Sequence, residues 1–559
     1  MYMLLDRLGA REAELWPLDA QGLPQSSPRR LPIAELPGVV REIEARTQPR
    51  WVWERAQAWY PALLDTGTTV ERCHDLSLCR PILAASEFTL GTDYPREIGV
   101  VEDYFDAPSR GDLNPAQEGL FDELERPSQR PRASAQELIE ELQLQLRTVR
   151  QSQAPARLQL LLAAESAGAL VATEMQYAGV PWRADLHEKL LEETLGPRPQ
   201  GGLLSPQLPA KMQALLEQLR QELGNNSFNP DSPQELMRAL HRAGIEVKTT
   251  RSWELQKSEH PAIPPLLAYK KLARLFSANG WAWLDQWVSG GRFRPEYVVG
   301  GVVSGRWASR GGGALQIPKQ VRSAVHADTG YKLIVADAAQ LEPRVLTALA
   351  QDRKMAEAAR DHDLYAGIAA QGFGGDRAKA KIALLGAIYG STTGESGRLM
   401  PQLARTYPQA VGLVEAAARA GERGEIVTTR LGRSCPAPSE RWRAAQRTST
   451  EQEQRWADQL ARSRGRFTRN FVVQGSAAEW ASCWLAELRR RLRQRPELGA
   501  ELVFFLHDEV MVHCPESSVP QVSPLIEEAA AAAKELLFGR APINFPVSVT
   551  VVDHYDQAK

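Results

Sequence analysis

Two apolar, β-rich runs that each end in an acid constrain this chain more than any other feature. Tyr331–Ala336 (YKLIVA) delivers Asp337 at its end, and Leu502–Leu506 (LVFFL) delivers His507, Asp508 and Glu509. Such runs read as buried strands. Carboxylates from two strands can hold two Mg²⁺ ions about 3.5–4 Å apart, flanking an in-line phosphoryl transfer. Taken singly, each acid reads equally well as a strand-end turn residue or a helix N-cap, so the pair alone does not decide the chemistry.

The segment Asp376–Gly390 (DRAKAKIALLGAIYG) adds to it. On a helix, Arg377, Lys381, Leu385 and Tyr389 lie four residues apart and share one face. Two cations, an apolar residue and an aromatic can hold a triphosphate at one end and stack on a base at the other. An amphipathic helix with a charged edge has the same pattern. Farther on, Ala461–Arg495 carries nine arginines against Glu479 and Glu487. Arg489–Arg495 reads as a solvated helix face. In Arg462–Arg469, by contrast, the arginines are followed by Asn470 and Gln474, which have base-reading chemistry.

Composition sets the limits. The 559 residues are 43% hydrophobic and 24% charged, with a formal charge of −1, an ordinary globular balance for roughly two to four domains. A nucleic-acid surface would therefore have to be local. The five cysteines form no CxxC pair, which supports neither a disulfide framework nor a structural zinc site. The first residues lack the apolar core of a signal peptide, and the longest apolar stretch, around Leu160–Ala172, is interrupted by Glu165 and Ser166. A soluble, cytoplasmic monomer is the expectation. Residues 1–95 mix strand-like runs (Met3–Leu5, Glu14–Leu18) with a helical pattern over Trp51–Leu64. Between Ser86 and Leu146 there are fourteen acidic and five basic residues, so 96–155 reads as an acidic linker or insertion with one amphipathic helix near Ala135–Val149. Gly311–Gly313 lacks the Lys-Ser/Thr of a P-loop, and His74, His241 and His260 read as isolated, satisfied histidines.

Together the motifs resemble the family A DNA polymerases, the bacterial DNA polymerase I type, over roughly 156–559. DAAQLEPRVL (337–346) is similar to their motif A, 377–390 to motif B, and LHDEV (506–510) to motif C. SGRWAS (304–309) with LQIP (315–318) resembles the segment before motif A, and RFTRNFVVQGSAAE (466–479) the segment before motif C. TTRLGR (428–433) and FNPDSPQEL (228–236) fit further patterns of the family. The resemblance implies an α/β (α+β) right-hand fold with a thumb about 205–285, a palm about 286–350 and 465–559, and fingers about 355–460. It implies that Asp337 and Asp508, with the Ala338 carbonyl, hold two Mg²⁺ ions (Mn²⁺ in their place), with Glu509 beside them. Arg377 and Lys381 would bind the triphosphate of an incoming deoxynucleotide. Gln340, Glu342, Leu385 and Tyr389 would surround its sugar and base. Arg306, Gln316, Arg466, Asn470, Gln474 and His507 would contact primer–template DNA.

The departures are specific. Ala338, Ala339 and Pro343 replace the usual Tyr, Ser and Leu of motif A, and Leu384 and Leu385 replace an Asn and an aromatic in motif B. Residues 1–95 resemble the RNase H-like 3′-5′ exonuclease domain of these enzymes through CHDLSLCRPIL (73–83), but Cys79 stands where a metal-binding Asp belongs. Near the start only Asp6 is available for an expected Asp-x-Glu pair. The expectation is a degenerate domain without proofreading, in a chain with no 5′ nuclease domain. A single-subunit RNA polymerase is an alternative that Glu342 opposes, because its side chain lies where a ribose 2′-OH needs room. A catalytically silent DNA-binding protein is another, and it would need none of Asp337, Asp508, Arg377 and Lys381.

Overall fold

The computed structural model describes residues 1–96, 133–199, 208–310, 317–360, 363–391 and 393–558. They divide into two compact bodies. The larger comprises Met1–Ala178, Tyr297–Arg310 and Ile334–Val551, and the smaller Gly179–Glu296, Gly311–Leu333 and Val552–Lys559.

The N-terminal sheet of the larger body contains β1 (Tyr2–Leu8), β2 (Glu12–Leu18), β3 (Arg29–Pro32), β4 (Arg50–Trp53) and β5 (Arg72–Asp75), in the order β3-β2-β1-β4-β5. The pairs β1–β2 and β2–β3 are antiparallel, while β1–β4 and β4–β5 are parallel, which is the order and direction of an RNase H-like sheet. Helix was expected over Trp51–Leu64, and this is corrected. Trp51, Val52 and Trp53 are fully buried in β4, where aromatic and β-branched side chains fill both faces of an interior strand, and helix begins only at Tyr60.

The amphipathic helix forms over Ala135–Gln151, with a capping box between Ser134 and Glu137. It lays Leu138, Ile139 and Leu142 onto Leu4, Leu18, Val52 and Leu76 of the sheet and its edge. This part of 96–155 is thus core cover rather than linker, while residues 97–132 lie outside the described residues. His74 is buried and shares a 2.8 Å hydrogen bond with Gln145.

Helix Pro155–Ala178 backs the opposite face of the sheet through Ala169 and Leu170. By length and composition it could cross a membrane, yet 72% of its most apolar window is buried inside the protein, as in a core helix. It carries two acids that are paired across the fold, Glu165 with Arg433 and Glu174 with Arg489. Arg489 corrects the reading of Arg489–Arg495 as a solvated face. Only 5% exposed, it donates to both Glu174 oxygens at 2.8 Å and to the carbonyls of Val70 and Glu71 at 2.6 and 2.8 Å. One side chain of a C-terminal helix thereby satisfies the loop that enters β5.

In the smaller body, β6 (Val180–Pro181), β7 (Val288–Ser289) and β8 (Arg292–Phe293) form a short sheet in the order β6-β8-β7. The rest is mainly helical, including Ala210–Glu222, Pro233–Arg242 and Ile263–Asn279. Ser232 caps the second of these through Glu235 N, and Trp182, Trp283 and Phe293 pack ring against ring.

The larger body also holds the pair β9 (Glu296–Val298) and β10 (Ala308–Arg310). Its second main sheet is formed by β11 (Tyr331–Ala338), β12 (Glu501–Leu506), β13 (Glu509–Pro515) and β14 (Val547–Val552), in the order β12-β13-β11-β14. Both acid-tipped runs of the sequence are strands of this sheet. A helix of 43 residues, Glu451–Arg493, opens on a Thr450–Glu453 capping box.

Candidate active site

β12 and β13 form an antiparallel hairpin in which Leu506 pairs with Glu509, leaving His507 and Asp508 as a two-residue turn. His507 takes up a left-handed φ of 55°, and Asp508 N–H bonds back to Leu506 O at 2.7 Å. From the neighbouring β11, Ala338 N–H donates to Asp508 O at 2.8 Å. That bond sets the end of the Asp337 strand directly against the Asp508 turn. Both aspartates are half-buried, whereas Glu509 is 2% exposed. Two carboxylates and a backbone carbonyl form an oxygen-only donor set that suits a hard divalent cation with room for water or phosphate oxygens. No group of three or more His, Cys, Asp or Glu side chains that could hold a metal occurs among the described residues.

Beyond Asp337 the chain turns through Gln340, at φ 56°, into helix Leu341–Ala350. Arg344 fixes this turn. It is fully buried and donates to Ala339 O at 3.1 Å and to Ala359 O and Asn544 O at 2.9 Å each. Burial pulls its pKa down to about 10. Pro343 falls in the first turn of the helix, where the missing N–H removes no helical bond, so this departure from the motif costs the backbone nothing.

Helix Arg377–Tyr389 is capped by Asp376 and stopped by Gly390 at φ 72°. Arg377, Lys381 and Tyr389 are exposed on one face with half-buried Leu385 between them, while Leu384 is buried. Arg469 secures the end of the helix, donating to Ala387 O at 3.2 Å while paired with Glu415. Glu342 joins this helix to the motif A turn, accepting the Tyr389 hydroxyl at 2.5 Å and pairing with Arg306. Burial and the Glu342 charge push the Tyr389 phenol well up. Arg306 follows Gly305, at φ 84°, where an added Cβ would overlap the Arg433 guanidinium. Desolvation, with the Arg306 charge, lowers the His507 imidazole to about 4.

Arg466, Asn470 and Gln474 recur every four residues along Glu451–Arg493. Arg466 is exposed and the other two are half-buried. The Asn470 Oδ1 is shielded from solvent and accepts no hydrogen bond from the described residues. Gln316 and Gly311–Gly313 lie outside the described residues.

Three supports escape a reading of the sequence. Asp363 holds Arg377 at 2.6 Å, the buried Glu165–Arg433 pair backs Gly305, and Glu479 accepts Thr429 Oγ1 and, at 2.8 Å, Leu431 N–H. In the sequence Asp363 carries only the signal of a helix N-cap.

The N-terminal sheet brings no comparable set together. Asp75 is 3% exposed and accepts Ala56 N–H, Ser77 Oγ and Leu78 N–H at 2.8, 2.9 and 3.1 Å. Burial nevertheless raises its pKa. Cys79 is fully buried, and its thiol is pushed far up by desolvation.

The model of DNA polymerase family A matches residues 202–557. The thermostable DNA polymerase I of Thermus thermophilus is 25% identical, over 62% of this chain and 44% of that protein. DNA polymerase I of Pseudomonas aeruginosa is 26% identical, over 64% and 41%. The chain thus spans less than half the length of these curated relatives. Among solved structures, the POL domain of Pol1 from M. smegmatis, in complex with DNA primer-template and dNTP, has a TM-score of 0.69 at 18% identity, covering 100% of this chain and 95% of that one. The fold is shared across both bodies. With nearly two thirds of its residues inside the family match, this chain belongs to DNA polymerase family A.

Proposed function

We propose that the chain is a template-directed DNA polymerase that adds deoxynucleotides to a primer 3′-OH and releases pyrophosphate. The observation that carries this reading is the 2.8 Å bond from Ala338 N–H to Asp508 O, which couples the two acid-bearing strand ends. Asp337, Asp508 and the Ala338 carbonyl would hold divalent metal, Mg²⁺ by preference of the all-oxygen donor set. Bound there, it would lower the pKa of the 3′-OH and neutralise charge on the leaving group.

The remaining roles belong to the chain itself. Arg377 and Lys381 project from one helix face and counter the triphosphate charge. Tyr389 lies at the end of that face, beside the nascent pair. Glu342, fixed by Arg306 and Tyr389, stands under the sugar. Arg466, Asn470 and Gln474 follow the primer–template by donating N–H groups to minor-groove acceptors common to all base pairs. The N-terminal domain contributes structure and no nuclease chemistry.

The test is primer extension with Mg²⁺ and each of the two nucleotide types, deoxy and ribo. Templated extension with deoxynucleotides supports the reading. Extension with ribonucleotides at equal efficiency, or DNA binding without extension, overturns it.

A further inference from the structure

Arg377 is held from two sides before any nucleotide arrives. Its Nε donates to Asp363 Oδ2 at 2.6 Å, and its guanidinium lies 5.6 Å over the Tyr365 ring. Among the described residues only its Nε is hydrogen-bonded, which leaves both terminal NH₂ groups available to a ligand. Asp363 is itself fixed. Its Oδ1 accepts the Gln340 amide at 2.8 Å and the N–H groups of Tyr365 and Ala366 at 3.0 and 3.2 Å. The Gln340 oxygen in turn accepts Leu364 N–H at 2.8 Å. A hydrogen-bonded chain thus runs from the motif A turn, through Gln340 and Asp363, to Arg377.

As a stabilising contact the ion pair is weak. Its side chains are 53% and 36% exposed, and such surface pairs contribute under about 1 kcal/mol. Its geometry serves orientation better. An arginine rotating freely loses side-chain entropy when it captures a phosphate, and one already held by Nε loses less.

We propose that Asp363 is a positioning residue for the incoming nucleotide, presenting the two terminal NH₂ groups of Arg377 to the triphosphate. The proposal rests on the polymerase reading above and adds to it the residue that sets nucleotide affinity. Asp363 touches no substrate and acts through Arg377.

The test is a cycle of single-nucleotide primer extension on wild type, D363N, R377A and the double variant. D363N removes the charge but keeps an N-cap oxygen, and D363S serves as a second uncharged cap. Both should raise KM for the deoxynucleotide about tenfold with kcat within about twofold, the signature of lost uniform binding. In the R377A background, D363N should change KM by less than about twofold, because the group it orients is gone. An unchanged or lowered KM in D363N and D363S overturns the proposal. So does the same tenfold rise on top of R377A, which would mark Asp363 as a general structural support. Failure of the wild type to extend a primer would instead overturn the polymerase reading.

Discussion

Asp75 and Asp508 both stand at the end of a strand in an α/β sheet, and they meet opposite fates. Asp75 is 3% exposed, with its carboxylate taken up by three donors of its own domain. Asp508 stays half-buried at a tight turn, and it is its backbone carbonyl that receives Ala338 N–H. The local signals differ as well: Asp508 follows the apolar run Leu502–Leu506, whereas Asp75 follows Glu71, Arg72, Cys73 and His74. What separates them in the structure is depth, since the surrounding backbone encloses Asp75 almost completely and Asp508 only in part. The N-terminal sheet has turned its acid into a helix cap, and the second sheet keeps two acids side by side.

The most severe test of this contrast is to neutralise each acid in turn. Asp337→Asn and Asp508→Asn should each lower primer extension on the order of a thousandfold or more, about 4 kcal/mol of transition-state stabilisation. Primer–template affinity should stay within a few fold. Asp75→Asn should leave extension near wild type. With Mg²⁺ and a mismatched 3′ end, the wild type should leave the primer length unchanged. Primer shortening that vanishes in Asp75→Asn would break the contrast between the two sheets.

The N-terminal sheet is also tied to a distant helix, and Arg489 indicates how. It is buried against Glu174 and the carbonyls of Val70 and Glu71. Arg489→Ala would strand those carbonyls and leave Glu174 with only Tyr60 and a longer 3.9 Å contact to Arg493. Breaking one side of a buried pair costs roughly 3–5 kcal/mol, and about 3 kcal/mol is expected here because Glu174 keeps some solvent. Equilibrium urea unfolding is the measurement. A loss below about 1 kcal/mol would mean that the N-terminal sheet is attached by its apolar contacts alone.

This arginine also marks where the sequence ceases to be legible. The strands carrying Asp337 and Asp508 and the helix of Arg377 can be read because their signals are local: apolar runs, a four-residue repeat, an Asp cap and a terminal glycine. Arg489 sits in a run that composition makes look solvated, and its partner Glu174 is 315 positions away. No periodicity encodes such a pairing. The same holds for Glu165 and Arg433, 268 positions apart, and for β4, whose aromatic residues fit a helical repeat until the parallel neighbours β1 and β5 bury them. Asp363 was hidden differently, as an ordinary N-cap whose second oxygen does the work.

Glu479 extends the comparison, because it is an enclosed acid of the Asp75 kind within the residues that match DNA polymerase family A. Burial pushes its pKa from 4.5 up to about 7, against the opposing bonds from Thr429 and Leu431. Below pH 4.5 the folded and unfolded chains both hold the proton. Between 4.5 and 7 the unfolded chain releases it and the folded chain keeps it, so stability falls as pH rises, and the deficit is complete above the folded value. Glu479→Gln removes this dependence while its amide can still meet Leu431 N–H and Thr429 Oγ1. The variant should match wild type near pH 4.5 and exceed it by about 3 kcal/mol at pH 8. Parallel stability–pH curves for the two proteins would show Glu479 to be ionised in the fold.

Glu342 lies between the two kinds of acid. Its side chain is 11% exposed, and both oxygens are engaged, one by Arg306 and the other by Tyr389. Held there, it has no freedom to move aside for a ribose 2′-OH or to solvate one fully. Burying an unpaired hydroxyl costs roughly 1–3 kcal/mol. Glu342→Ala should therefore raise ribonucleotide incorporation relative to deoxynucleotide about tenfold, or about 1.4 kcal/mol of discrimination. Leu385, half-buried on the same helix face as Tyr389, offers no polar group to a sugar. Wild type should accordingly discriminate against dideoxynucleotides, and Leu385→Tyr should weaken that discrimination by supplying a hydroxyl near the vacant 3′ position. The quantities to compare are the kcat/KM ratios for deoxy, ribo and dideoxy substrates in the three proteins. A ribonucleotide ratio unchanged in Glu342→Ala would reduce Glu342 to a brace between Arg306 and Tyr389, and the choice of sugar would then have to be made by another group.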